Sequence, residues 1–178
     1  MDADALDQLL QRVSERAGRR RAAGLVAAHD DLAEVSVAPG RWVVRSHSME
    51  HVADETGIHC WQVLSAAGAR PVEHDHPPGW VHPLVGMLWP DRLPVWGRPG
   101  DRFRPVQMIE GMHGPAQLVL RTARPLLAGE PPGAVGTLEL DPELLCCTRL
   151  ELPASTWTLR EYRTIAETRP GPPDRVGP

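Results

Sequence analysis

The chain contains no lysine. All nineteen basic residues are arginine, set against twenty-three acidic ones for a net charge of −4 over 178 residues. That balance gives no support to a polyanion-binding surface, and no nucleic-acid partner is expected. Exclusive use of arginine beside 16 Gly and 19 Pro matches a GC-rich coding sequence, so no single Arg counts as phosphate recognition. Cysteine is scarce as well. Cys60 stands alone, while Cys146 and Cys147 are adjacent, which is no disulfide framework. Adjacent strand residues point to opposite faces, so that pair does not suit a shared metal. No stretch approaches the ~20 apolar residues that span a bilayer. The start, Met1-Asp2-Ala3-Asp4, lacks the basic and apolar regions of a signal peptide. These absences predict a cytoplasmic protein without a transmembrane segment. Gly-x-Ser-x-Gly, phosphate-loop and His-Glu-x-x-His motifs are also missing.

What remains is an ordinary globular composition, 42% hydrophobic and 24% charged, long enough for one domain with a proper core. We assign residues 1–168 to that domain and 169–178, rich in Pro and Gly, to a disordered tail. Leu6, Leu9, Leu10, Val13 and Ala17 recur at helical spacing, which predicts a helix over 4–17. Its acidic start and Arg-rich end suit the helix dipole. The residues 22–32 suggest a second helical piece, and Arg19 to Arg21 a solvated helix end. Beyond Pro39-Gly40 the period becomes two. Residues 41–52 read as one long strand, Asp54 to Gly57 as a turn and 58–64 as a second strand. After the central run, further strands are expected at 106–109, 117–122, 135–140, 145–152 and 156–165. Together these predict an α+β fold, with the N-terminal helix packed on an antiparallel sheet.

Between the strand groups lies a run from His74 to Asp101 that holds Trp80, Trp89 and Trp96, half of the six tryptophans. Pro77, Pro78, Pro83, Pro90, Pro94, Pro99 and Pro105 exclude long regular sheet there. A short helical turn fits 84–88. Each Trp can bury about 200 Å², so the run is expected to be an ordered loop pinned by its aromatics.

The order helix, hairpin, Trp/Pro stretch and strand series resembles the LolA-like half-barrel family of periplasmic lipoprotein carriers and related envelope sensors. Three stretches carry the similarity: Gly136 to Asp141, Thr148-Arg149-Leu150-Glu151, and Trp157 to Tyr162. The resemblance implies a curved, incomplete antiparallel barrel. Its apolar concave face, partly plugged by helix and loop, would take up acyl chains. The chain departs from lipoprotein carriers in having no export signal.

Two uses of the central run compete. In the first, Trp80, Trp89 and Trp96, with Trp42 and Trp61 of the sheet, bind an apolar small molecule, a lipid or a protein partner without catalysis or cofactor. In the second, His74 and His76 face one side of a strand and hold a divalent transition metal in a cupin-like enzyme, with His82 or Glu73 as third ligand and His113 as fourth. The spacing from Gly68 to His76 resembles the opening of a cupin motif, yet Trp80 and Val81 stand where its Glu belongs. His59 beside Cys60 cannot form a nucleophile pair, because strand neighbours point apart. Asp91, Asp101 and Glu110 remain as generic carboxylates. A structural or regulatory role through the sheet edge or Arg19 to Arg21 is the third class.

Overall fold

The fold comes from a computed structural model that describes residues 3–17, 19–29, 31–64, 68–77, 79–109, 115–122, 133 and 135–165. His113, Glu110 and the tail from Arg169 lie outside the described residues. One α-helix, α1 (Ala3–Ala17), precedes an antiparallel sheet of 11 strands. They are β1 (Ala22–Ala28), β2 (Asp31–Ala38), β3 (Arg41–Arg45), β4 (Met49–Asp54), β5 (Gly57–Leu64), β6 (Gly68–Val72), β7 (Phe103–Ile109), β8 (Ala116–Thr122), β9 (Val135–Leu140), β10 (Cys147–Leu152) and β11 (Ser155–Thr164). The spatial order is β6-β5-β4-β3-β2-β1-β11-β10-β9-β8-β7. Two meanders thus meet where β1 pairs with β11, and the sheet stays open at β6 and β7. Among the described residues no helix is long and apolar enough to cross a membrane.

Alternation places the core on one face. Ala33, Val35 and Val37 of β2, Trp42 and Val44 of β3, Leu118 and Leu120 of β8, and Leu138 and Leu140 of β9 are all buried. Leu9, Val13 and Ala17 of α1 pack into the same cluster, as do Leu84, Val85, Met87, Leu88, Leu93 and Val95 of the central run. Full burial of such an aliphatic side chain contributes about 1.5–3 kcal/mol. The run is therefore an ordered plug on the sheet face, with 3-10 turns at Pro83–Met87 and Pro90–Arg92. Asp101 pins its far end. The buried Asp101 Oδ2 accepts from Trp96 N at 2.9 Å and from Arg98 N and Nε, both at 3.1 Å.

Four expectations are corrected. Residues 22–32 are not helical: β1 and β2 pair along their whole length, Ala22 against Val37 through Ala28 against Asp31. Alanine favours helix in isolation, but β1 is the central strand joining the meanders, and tertiary pairing overrides propensity. Gly24 shows how tight that join is, since a Cβ there would lie 2.4 Å from Glu161 O. The strand read over 41–52 is broken at Ser46, whose Oγ accepts from Met49 N at 3.1 Å. Such a hydroxyl-capped turn needs neither Gly nor Pro. Arg20 is no solvated helix end. It is 6% exposed, and its guanidinium donates to the carbonyls of Leu88, Leu144 and Leu145, strapping the plug and the β9–β10 connection to the end of α1. Finally, β7 begins at Phe103 and includes Pro105, because the register shifts between Pro105 and Gln107. A bulge on an edge strand is where proline is tolerated.

Candidate functional site: an imidazole–thiol cluster beside a tryptophan-walled cleft

The break at Ser46 decides which face His51 occupies. Folded back on β3, β4 sets His51 against Val44 and Ala53 against Trp42. On its other side His51 is the direct register partner of Cys60. Opposed residues of antiparallel strands project to the same face with Cβ atoms about 4.5–5.5 Å apart. Cys60 in turn pairs with Val72, the last residue of β6. From there the chain leaves the sheet and returns across its face. Trp80 N donates to Pro77 O at 3.0 Å, closing a turn. The His76 ring lies flat on Trp80, centroids 3.9 Å apart and planes at 14°.

His76 Nε2 ends 3.4 Å from Cys60 Sγ. One ligand atom from each of His51, Cys60 and His76 lies within 4.8 Å of the other two. Two further imidazoles border this trio. His82 stands with its ring 5.0 Å from that of His51, and its Nδ1 accepts from Leu84 N at 3.2 Å to start the first 3-10 turn. His74 is exposed, its ring 6.4 Å from His51 and 5.7 Å from His76. Burial, and after it the neighbouring His51 and His76, lower the His82 pKa to about 4. Burial, then His76 and His74, also lowers that of His51, while burial raises the Cys60 thiol. Both shifts favour the neutral form of the His51 and His82 imidazoles, the form that can donate a lone pair.

Trp80 is shared between the cluster and a cleft of about 440 Å³. Trp42 meets Trp80 edge-on, centroids 5.8 Å apart. The remaining wall includes Ser14 and Ala17 of α1, Val81, Trp89, Asp91 and Arg92. Trp89 Nε1 and Asp91 Oδ1 are buried away from solvent and have no hydrogen-bond partner among the described residues. Burial raises the Asp91 carboxyl pKa, against the opposing pull of Arg92, Arg98 and Arg20.

Of the tryptophans singled out from sequence, Trp42, Trp80 and Trp89 converge on this cleft. Trp96 does not line it. It is buried in the plug, with Nε1 donating to Pro90 O at 2.7 Å. Trp61 projects from the alternate side of β5, 5.8 Å from His59. There it helps line a separate edge cleft of about 300 Å³ with Cys60, Pro71, Glu73 and His74. Of the three histidines expected to share a metal, only His76 belongs to the converging trio. His51 and Cys60 complete it, and it contains no carboxylate. Neither residue had a spacing signal, because strand register brings them together. No protein-family model and no curated protein matches the chain.

Proposed function

We propose that this chain is a non-enzymatic binding protein of the LolA-like half-barrel kind, holding an apolar small molecule with one hydrogen-bonding end. The cleft walled by Trp42, Trp80 and Trp89 carries the reading. At about 440 Å³ it falls within the ~300–1,000 Å³ typical of small-molecule sites. Its wall combines large aromatic faces with a few polar groups, the usual composition of such pockets. Ser14, Asp91 and Arg92 are the polar side chains of that wall, which favours a ligand whose polar end can pair with one of them. The element order supports the family reading: a helix, a meander of six strands, a plug, and a meander of five.

The test is extraction of the purified protein followed by mass spectrometry, together with titration by a long-chain alcohol and a fatty acid read through tryptophan fluorescence. A saturable response at one ligand per chain is expected. Trp80→Ala should weaken it about tenfold, which corresponds to ~1.4 kcal/mol. An empty extract and a non-saturating response would rule the pocket out.

A further inference from the structure

We propose that His51, Cys60 and His76 form a binding site for a zinc-class transition metal ion, with solvent supplying the fourth ligand. The site goes beyond the apolar cleft, sharing none of that cleft's lining residues. Its argument is geometric. A tetrahedral zinc centre with bonds of about 2.3 Å to sulfur and about 2.05 Å to nitrogen requires S···N edges of roughly 3.6 Å. Cys60 Sγ and His76 Nε2 lie 3.4 Å apart, so one edge is already formed. His51 completes a set no wider than 4.8 Å, and the same bond lengths ask for edges of roughly 3.3–3.6 Å. Closing that gap takes about an ångström, within reach of imidazole rotation about χ1 and χ2.

The donors suit the ion. Thiolate and imidazole together select a borderline or soft metal, and the absence of carboxylate from the trio disfavours magnesium or calcium. Two ligands sit on adjacent strands, where register fixes them. The third rides on the returning segment, held down by its stack on Trp80. Cys60 and His74 both border the edge cleft of about 300 Å³. His82 stands outside the set, its Nδ1 engaged with Leu84 N, and acts as surrounding wall. Binding is a balanced exchange. Zn²⁺ displaces the Cys60 thiol proton to buffer and accepts a sulfur and two nitrogen lone pairs, with no change of oxidation state.

Cobalt(II) reports on such a site because a cobalt–thiolate bond gives a near-ultraviolet charge-transfer band, and tetrahedral geometry gives intense visible bands. Full-length protein stripped with chelator should bind one equivalent of Co²⁺ with both signatures, and one equivalent of Zn²⁺ should displace it. Cys60→Ser should abolish the charge-transfer band. His51→Ala and His76→Ala should each weaken Zn²⁺ binding at least a hundredfold, whereas His47→Ala, an exposed histidine on the β3–β4 turn, should leave it unchanged. The wild-type spectrum stands on its own if a variant fails to fold. Cobalt binding without the thiolate band, a band that survives in Cys60→Ser, or no stoichiometric binding would each overturn the proposal.

Discussion

At the scale of single residues, Arg20 and His82 concentrate the electrostatic stakes. Arg20 is an ion buried without a carboxylate in hydrogen-bonding range among its described contacts; three backbone carbonyls receive it instead. Burial accordingly lowers its pKa. Removing it leaves the carbonyls of Leu88, Leu144 and Leu145 short of a donor in the core, each worth on the order of 1–3 kcal/mol and not fully additive. We expect Arg20→Ala to lower unfolding stability by roughly 3 kcal/mol, measured by urea denaturation. A loss below about 1 kcal/mol would show that the strap contributes little. His82 sets a pH dependence. Its folded pKa, about 4, lies below its ordinary 6.5. The folded state therefore binds fewer protons than the unfolded one between those values. The stabilisation is fully present above pH 6.5 and is lost as pH falls toward 4, amounting to about 3 kcal/mol at most. In metal-free protein, the stability difference between wild type and His82→Gln should shrink over that window. Carboxylates titrating there cancel in the comparison, and a pH-independent difference would refute the assignment.

At the scale of elements, local pattern and tertiary pairing divide the explanation. The helix over Ala3–Ala17 and the strands from β8 onward were legible, because each needs only its own period and flanking turn residues. Two hairpins were not. The Ala-rich β1 has no intrinsic preference for sheet and becomes a strand only between β2 and β11. The Ser46 turn lacks Gly, Pro and Asn, so 41–52 looked continuous. That error carried over to the site: on an unbroken strand, His51 falls on the face opposite Trp42. His76 was legible from the His-x-His spacing alone, and Trp80 from the density of tryptophan around it. Cys60 was not, since its meaning depends on which residue of β4 lies across from it. The same logic makes Gly24 a sensitive position. Its Cβ would strike Glu161 O of β11, a backbone atom that cannot swing aside, and Leu159 as well. Gly24→Ala should cost about 1–3 kcal/mol, seen as a lowered thermal midpoint. An unchanged midpoint would mean the β1–β11 seam relaxes freely.

At the scale of the whole molecule, the open sheet leaves edges at β6 and β7, and both carry proline, Pro71 and Pro105, which blunt edge-to-edge pairing. The face opposite these edges' shared solvent is filled by α1 and the plug, so the tryptophans of the central run serve unequally. Trp96 fills space, while Trp42, Trp80 and Trp89 border it. Trp80 borders both proposed sites. Residues of α1 wall the cleft, and the imidazole–thiol cluster draws Cys60 from β5, beside the edge strand β6.

The seam between β1 and β11 also governs the order in which the molecule can be completed on the ribosome. Within this sheet β1 is hydrogen-bonded to β11, which is made well over a hundred residues later, Ala22 against Thr164 through Ala28 against Trp157. Until β11 emerges, β1 is a bare, apolar edge, even when β7 to β10 have already been made. Closing such a distant pair is slow, because the entropy of the intervening chain must be lost first. Through most of translation this edge offers a template to any neighbouring nascent chain, so the vulnerable surface of the protein is the one its finished form buries at the centre.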